Sequence, residues 1–401
     1  MTTRRAPGRR VAVYTDYRYR RADGRLYAER AFALFLVELS RHVDRMTIIG
    51  KVDPEPGTSH YELPVDVGFV ELPYFSALTR PLQFARSIGR SASRVWRLLD
   101  DVDALWLLGP HPLAVVFAIL GVVRGRSVTL GVRQDFRRYV RARHPHSRWI
   151  PLAGDLLEAV WRGLGRRLPV VAVGPQLAAQ YPADRTLELS VSLVRASDIR
   201  PAEDPLPDYD GSALTALSVG RLEEEKNPLL LAEILAALVS QDRRWRLVIC
   251  GEGPYENRLR ERLEQLGVAD RAELRGYVPN DGGLSELYRS SHALLHVSWT
   301  EGLPQVLFEA FAARLPVVAT AVGGVPLAAG DAAVLIGPGD ADAAADGLRR
   351  VASDPALRAA LIDRGLARVE SHTLEHEAAA VAGFICRQSV RSEPSDRRNV
   401  G

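Results

Sequence analysis

Cysteine and lysine are the scarcest reactive residues of this 401-residue chain. Its two cysteines, Cys250 and Cys386, are too few for a disulfide framework or a four-ligand zinc site, and each falls in an apolar stretch that reads as core. That usage fits a reducing compartment, and the chain is read as cytoplasmic. The start is basic, but the apolar run at 11–14 closes before Asp16 and is too short for the core of a signal peptide. A long uninterrupted hydrophobic run is also missing. The best candidate, 104–123, holds twenty residues without a charge, yet Gly109-Pro110-His111-Pro112 divides it into an apolar strand and an apolar helix. A buried strand–turn–helix unit is expected there, not a membrane span. Lysine occurs only at Lys51 and Lys226, beside 50 arginines. In so strong an arginine background, each surviving lysine singles out its position.

What is present is an ordinary globular composition, 47% hydrophobic and 25% charged, long enough for two domains at about 150 residues each. The net charge of +3 hides an asymmetry, since residues 1–200 carry 31 Lys+Arg against 19 Asp+Glu (+12) and 201–401 carry 21 against 30 (−9). The halves present different surfaces to different partners. Short β-branched or apolar runs recur at 11–15, 46–50, 67–72, 104–108, 128–132 and 170–173 with helical patterns between most of them, the alternation of a parallel sheet covered by helices. A proline- and acid-rich segment, 195–211, reads as the interdomain linker. A second alternation follows, through ALTALSVG, RLVICGEG, AELRGYV, ALLHVSW, PVVATAVGG and AVLIG. The expectation is an α/β chain of two tandem Rossmann-like doubly wound domains, 1–198 and 199–370, facing a central cleft. A helix over 371–388 and a disordered polar tail, 389–401, complete it.

Candidate chemistry concentrates in the second alternation. In Val219-Gly220-Arg221-Leu222-Glu223-Glu224-Glu225-Lys226-Asn227-Pro228 a strand ends at a glycine, and two cations bracket a short loop before Pro228 opens a helix. Arg221 as a fork and Lys226 as a point charge suit a diphosphate, against the plainer reading of a solvated charged loop. In Ser298-Trp299-Thr300-Glu301-Gly302-Leu303-Pro304-Gln305, Pro304 is read as the first helical residue, which puts the amides of Gly302, Leu303 and Gln305 where a helix start favours an anion. Glu309, further along that helix, suits a ribose diol, and Glu301 lies in the loop itself. Either carboxylate alone reads equally well as compensation of the helix dipole.

In combination these residues carry a resemblance. The two glutamates with seven residues between them, the VGRLEEEKNP loop, the turn Gly251-Glu252-Gly253-Pro254 and the later Gly323-Gly324-Val325-Pro326 resemble glycosyltransferase family 4, retaining nucleotide-sugar transferases of GT-B fold. The resemblance covers 214 to about 388 closely and the first half in outline. It implies a nucleoside diphosphate sugar as donor and no cofactor or metal. Arg221, Lys226 and Glu301 would form the reacting centre. Gly220, Gly253, Val278, Gly302, Leu303, Gln305 and Glu309 would hold the donor. Where many members of the family have a histidine after the strand matching VTLGV, this chain has Arg133-Gln134-Asp135. The acceptor side is therefore assigned to Arg133, Asp135 and His111, the nearest histidine at a strand end, together with Gly24 and Tyr27 of the loop after the first strand. The rivals are a silent donor-binding subunit of another transferase, supported by the missing histidine, and an epimerase of the same fold.

Other signals are set aside. Asp101-Val102-Asp103 is a DxD string, but it precedes a strand and so lies at the amino end of the sheet, away from any ligand. Asp340-Ala341-Asp342 reads as a helix cap. His372 and His376 lack a third metal ligand nearby. Over 82–99, Arg86, Arg90, Arg94 and Arg97 share a narrow arc opposite an apolar face. With the +12 half, this points to an anionic membrane surface or a lipid-linked acceptor. No interleaving of aromatics with a basic strand supports nucleic acid.

Overall fold

The computed structural model describes residues 10–74, 81–143, 147, 149–190, 192–279 and 283–391. The chain divides into two units, one running to Leu193 and resuming at Leu374, the other Val194–Thr373.

The strands of the first unit are β1 (Arg10–Ala22), β2 (Arg25–Ala28), β3 (Arg45–Val52), β4 (Tyr61–Glu62), β5 (Gly68–Leu72), β6 (Ala104–Gly109), β7 (Ser127–Val132), β8 (Val170–Val173) and β9 (Thr186–Leu189). They form one sheet. Its parallel body runs β5-β3-β1-β6-β7-β8-β9. Its helices are α1 (Phe32–Ser40), α2 (Pro81–Leu98), α3 (Pro112–Val123), α4 (Phe136–Arg143), α5 (Trp149–Gly165) and α6 (Pro175–Ala178). Consecutive residues of β1 feed opposite faces: Val11 and Val13 pack in one apolar layer with α1, Ala12 and Tyr14 in the other with Phe117 and Trp161. Burial of both faces is why these strands read as continuous apolar runs. The run 104–123 is β6, a turn and α3, and among the described residues no helix is long and apolar enough to cross a membrane.

Beyond Tyr14 the register of β1 breaks before Arg18, and the strand continues outward to pair with β2 antiparallel. The segment read as a loop at Asp23–Tyr27 is thus a hairpin, with Ala22 opposite Arg25 and Asp23 and Gly24 both at positive φ (50° and 76°). An Asp-Gly pair in that conformation closes a two-residue turn whose twist matches the strands.

The second unit holds β10 (Leu214–Val219), β11 (Trp245–Cys250), β12 (Ala272–Leu274), β13 (Ala293–His296), β14 (Val317–Thr320) and β15 (Ala333–Ile336), all parallel, in the order β12-β11-β10-β13-β14-β15. Its helices are α7 (Pro228–Val239), α8 (Glu256–Gln265), α9 (Leu284–Ser290), α10 (Gln305–Ala312), α11 (Val325–Ala329), α12 (Ala341–Ser353) and α13 (Pro355–Glu370). Helix α14 (Leu374–Arg391) belongs to the first unit, where Leu374, Ala378, Val381 and Ile385 join the layer containing α1.

Two readings change here. The segment 195–211 is no free tether. The Arg200 amide donates to the Ala312 carbonyl, its guanidinium donates to the Arg289 carbonyl at 2.9 Å, and Arg314 donates to the carbonyls of Pro201, Ala202 and Asp204. Arginines donating to backbone carbonyls turn a proline-rich stretch into part of the second unit. The final helix runs on to Arg391 and not only to 388, so the first three residues of the expected tail are helical; 392–401 lie outside the described residues.

Candidate active site

In each parallel sheet the chain leaves one strand in opposite directions, and the carboxyl ends flanking that reversal are where such sheets receive ligands. The reversal falls between β10 and β13 in the second unit and between β1 and β6 in the first.

At the second unit's reversal a recess is lined by Gly220, Arg221, Lys226, His296 and Ser298 among others. Two loops build it. After β10, a single tight turn over Glu224–Lys226 delivers Lys226 to the start of α7, with Pro228 in its first turn. After β13, the Trp299 amide donates to the Glu225 carbonyl at 2.8 Å, tying the second loop to the first. This juxtaposition places the Lys226 ammonium 2.5 Å from Glu301 Oε1. The same oxygen accepts from Ser298 Oγ at 2.6 Å and lies 3.0 Å from His296 Nε2. Burial by itself would raise the Glu301 carboxyl, but the hydrogen bond from His296 and the charge of Lys226 outweigh it and hold the pKa down at about 2. Glu301 is thus held as a carboxylate, in contact with Lys226, Ser298 and His296.

Arg221 stands differently. Its guanidinium is largely exposed and is held within its own loop by Glu223 (2.5 Å) and Glu225 (2.9 Å). Lys226 and Glu301 are therefore brought together, with Arg221 at the rim.

Pro304 precedes the helix as its cap residue; α10 begins at Gln305, one residue later than the sequence reading. A proline has no amide to donate, so any free donors at this helix start belong to the residues on either side of it. Gly302 has open space where a side chain would stand, whereas a Cβ on Gly324 would meet the Gly302 carbonyl oxygen at 1.7 Å. The Gly323-Gly324 pair thus lets its own loop lie directly against the Glu301-Gly302 backbone, with the Gly324 amide donating to the Glu301 carbonyl at 3.3 Å. Glu309 is beyond the first turn of α10, which removes the dipole explanation for it. Tyr288 donates to its Oε2 at 2.6 Å, and burial pushes the Glu309 carboxyl upward against that bond. Gly253 lies under the Leu222 backbone, where the Leu222 amide donates to the Glu252 carbonyl, and Val278 follows β12, packed against the core.

The first unit presents a second cluster at its own reversal. The Tyr14 hydroxyl donates to His111 Nδ1 at 2.8 Å, and the Leu113 amide donates to the same nitrogen at 3.2 Å. With Nδ1 accepting twice, the ring proton is on Nε2. Burial, eased by Asp16 and reinforced by Lys51, lowers the His111 pKa to about 4, so the ring is neutral at physiological pH. Arg133 donates to the Tyr17 hydroxyl and to Asp16 Oδ1 at 3.2 Å, and its guanidinium carbon lies 4.8 Å from the Tyr17 ring centroid. Asp135 is exposed in the loop leading into α4. Gly24 and Tyr27 are placed on the hairpin, with Tyr27 opposite Arg20 and Glu62, and not among these strand-end residues.

Three of the set-aside residues, Asp103, Asp340 and His372, have plain structural roles. Asp103 holds Arg10, at 2.8 Å, at the amino end of the first sheet. Asp340 accepts from the Ala343 amide as a helix cap, and His372 packs edge-on against Phe308. No group of three or more possible metal ligands occurs among the described residues. The sequence reading missed His296, Ser298 and Tyr288. A histidine closing the apolar run ALLH was the available sign, hidden because that run reads as core.

Residues 208–368 match the family model described as glycosyl transferases group 1. The D-inositol 3-phosphate glycosyltransferase of Actinosynnema mirum is 35% identical over 217 residues, covering 52% of this chain and 48% of that protein. The O-antigen chain mannosyltransferase B of Escherichia coli is 29% identical over 204 residues, covering 49% and 53%. The chain thus spans about half the length of these relatives. Among solved structures, WaaG, a glycosyltransferase involved in lipopolysaccharide biosynthesis, aligns over 94% of this chain and 99% of its own with a TM-score of 0.66 at 18% identity. Anabaena Alr3699/HepE in complex with UDP aligns over 94% and 100% with a TM-score of 0.70 at 14% identity. The chain has the GT-B fold, and the segment that matches the glycosyl transferases group 1 model lies within its second unit.

Proposed function

We propose that this protein transfers a sugar from a nucleoside diphosphate sugar to an acceptor hydroxyl with retention of anomeric configuration, in the synthesis of a cell-envelope glycolipid or polysaccharide. The observation that carries this reading is the Lys226–Glu301–His296 cluster at the strand reversal of the second unit. Breaking the bond between sugar and diphosphate places negative charge on the leaving phosphate. A cation and helix-start amides already in place stabilise that charge without reorganising, which is the largest kind of catalytic effect available to a site without a nucleophile. Glu301 holds Lys226 in position, Arg221 adds a second cation from the rim, and Glu309, steadied by Tyr288, receives the ribose hydroxyls. HepE has been described with UDP and with UDP-glucose, which supports a nucleotide-sugar donor of this class.

On the acceptor side we assign the cluster of Asp16, Tyr17, His111 and Arg133. A neutral His111 with its proton on Nε2 donates a hydrogen bond to a sugar or acceptor oxygen, and Arg133, braced on Tyr17 and Asp16, fixes the geometry around it. The test is product analysis. The full chain is incubated with UDP-, GDP- and ADP-sugars and a bacterial lipid extract. Acceptor-dependent release of the nucleoside diphosphate, with a product anomer matching the donor's by NMR, supports the reading. Donor consumption without transfer, or an inverted product, contradicts it.

A further inference from the structure

Helix α5 carries an apolar stripe that the fold leaves in solvent. Trp149, Leu152, Leu156 and Val160 are 61%, 69%, 68% and 41% exposed. At 100° per residue they fall within an arc of about 80° and extend over about 16 Å. The opposite side of α5 does the packing, through Gly154, Glu158 and Trp161, so the stripe is not needed to dock the helix. Helix α3, which packs beside α5 on the same face of the sheet, adds Val122 and Val123, the latter 68% exposed. Single exposed apolar residues are normal, but a helix-long row with a neighbour of the same kind marks a contact surface.

The charge around this row selects the occupant. By sequence, α2 to α5 contain nine arginines and two acids, Asp155 and Glu158. Neither acid is available to repel an anion. Glu158 is buried against Arg162 at 2.8 Å, and Asp155 lies 2.7 Å from Arg141. On α2, which packs against α3, Arg90 and Arg97 are exposed. An apolar helix face with a tryptophan at one end and arginines alongside is the composition that lies in the boundary layer of an anionic bilayer. The sequence reading located membrane attraction in the arginine arc of α2 alone. Of that arc, the side chain of Arg86 lies outside the described residues, and the Arg94 guanidinium donates to the Glu71 carbonyl.

We infer that the α5 stripe, with the end of α3, inserts into the headgroup boundary of an anionic membrane while the arginines of this face hold its surface. The attachment then has two parts, one that salt screens and one that it does not. The test is flotation of the full chain with vesicles of phosphatidylcholine containing phosphatidylglycerol, at low and high salt. Parent protein is expected to float at low salt and to remain partly bound at high salt. Leu152→Ser/Leu156→Ser, both at exposed positions, should keep the parental thermal midpoint and lose binding by about tenfold or more. Arg90→Gln/Arg97→Gln should weaken low-salt binding and leave the salt-resistant fraction. Binding of the leucine variant equal to the parent's overturns the inference. So does a parental dimer in light scattering that this variant converts to monomer, since the stripe is then an interface between two copies of the chain.

Discussion

The Lys226 ammonium and the Glu301 carboxylate, 75 residues apart in sequence, meet at 2.5 Å with side chains only 22% and 8% exposed. A pair withdrawn this far from water is held by more than its own attraction, and Ser298 and His296 supply the remaining contacts to the same oxygen. From this relationship the two cations of the second unit acquire different mutational signatures.

Lys226→Ala should lower both donor use and stability, because it strands a buried carboxylate. We expect a loss of about 2–4 kcal/mol in transition-state stabilisation and of about 1–3 kcal/mol in folding, the latter reduced from the fully buried range by Lys226's partial exposure. Arg221→Ala should lower donor use with a folding change within about 0.5 kcal/mol, since its ion pairs are surface pairs. Steady-state kinetics beside urea unfolding separates the two. Equal stability losses would refute the distinction.

Stability should depend on pH through Glu301. Its folded pKa of about 2 lies below the usual carboxylate value of about 4.3, so its stabilisation is fully present above that value and is lost as pH falls toward 2. Glu301→Gln carries no titrating group at this position. The stability gap between parent and variant should be on the order of 3 kcal/mol near neutrality and should shrink below about pH 4. Urea midpoints across this range measure it, and a gap independent of pH would show that Glu301 is not held ionised by its neighbours.

Tyr288→Phe should weaken donor use through KM more than kcat. The hydroxyl donates to Glu309 Oε2 at 2.6 Å, and its loss frees the side chain that we assign to the ribose. A single hydrogen bond of this kind is worth about 1 kcal/mol, or about fivefold. An unchanged KM would detach Glu309 from the donor.

Turnover should survive chelation by EDTA. In the proposed reaction the leaving phosphate is met by Lys226, Arg221 and the start of α10, while Asp103 of the first DxD string is engaged with Arg10 and Asp340 of the second caps a helix. Loss of activity restored by Mg²⁺ or Mn²⁺ would reassign the site.

The two sheets and their helices were legible because strands buried on both faces leave apolar runs bounded by turns, and all six runs of the second unit became strands. Lys226 was legible for a different reason, as a lysine among arginines. Its partner was not, because the contact joins two loops distant in sequence and only the parallel order β10-β13 brings them together. His296 was hidden by the strand it ends, whose other residues are all apolar and buried. The Asp23-Gly24 turn carried a hairpin signal, but β2 (RLYA), β4 (YE) and β9 (TLEL) mix charged with apolar residues and lack the continuous apolar run that marks strands of similar length such as β8 (VVAV). Prolines in 195–211 suggested a tether. Arg200 and Arg314 fasten that segment through backbone carbonyls, a use of arginine that composition does not reveal.

The central claim is that the recess around Lys226 receives a nucleoside diphosphate sugar, and ligand-induced thermal stabilisation tests it most directly. A ligand at one hundred times its dissociation constant adds about 2.7 kcal/mol to the folded state. At least one of UDP-, GDP- and ADP-sugars should raise the midpoint of the parent protein, and the shift should vanish in Lys226→Ala measured against its own ligand-free midpoint. An equal shift in Lys226→Ala, or none from any donor in the parent, would contradict the account.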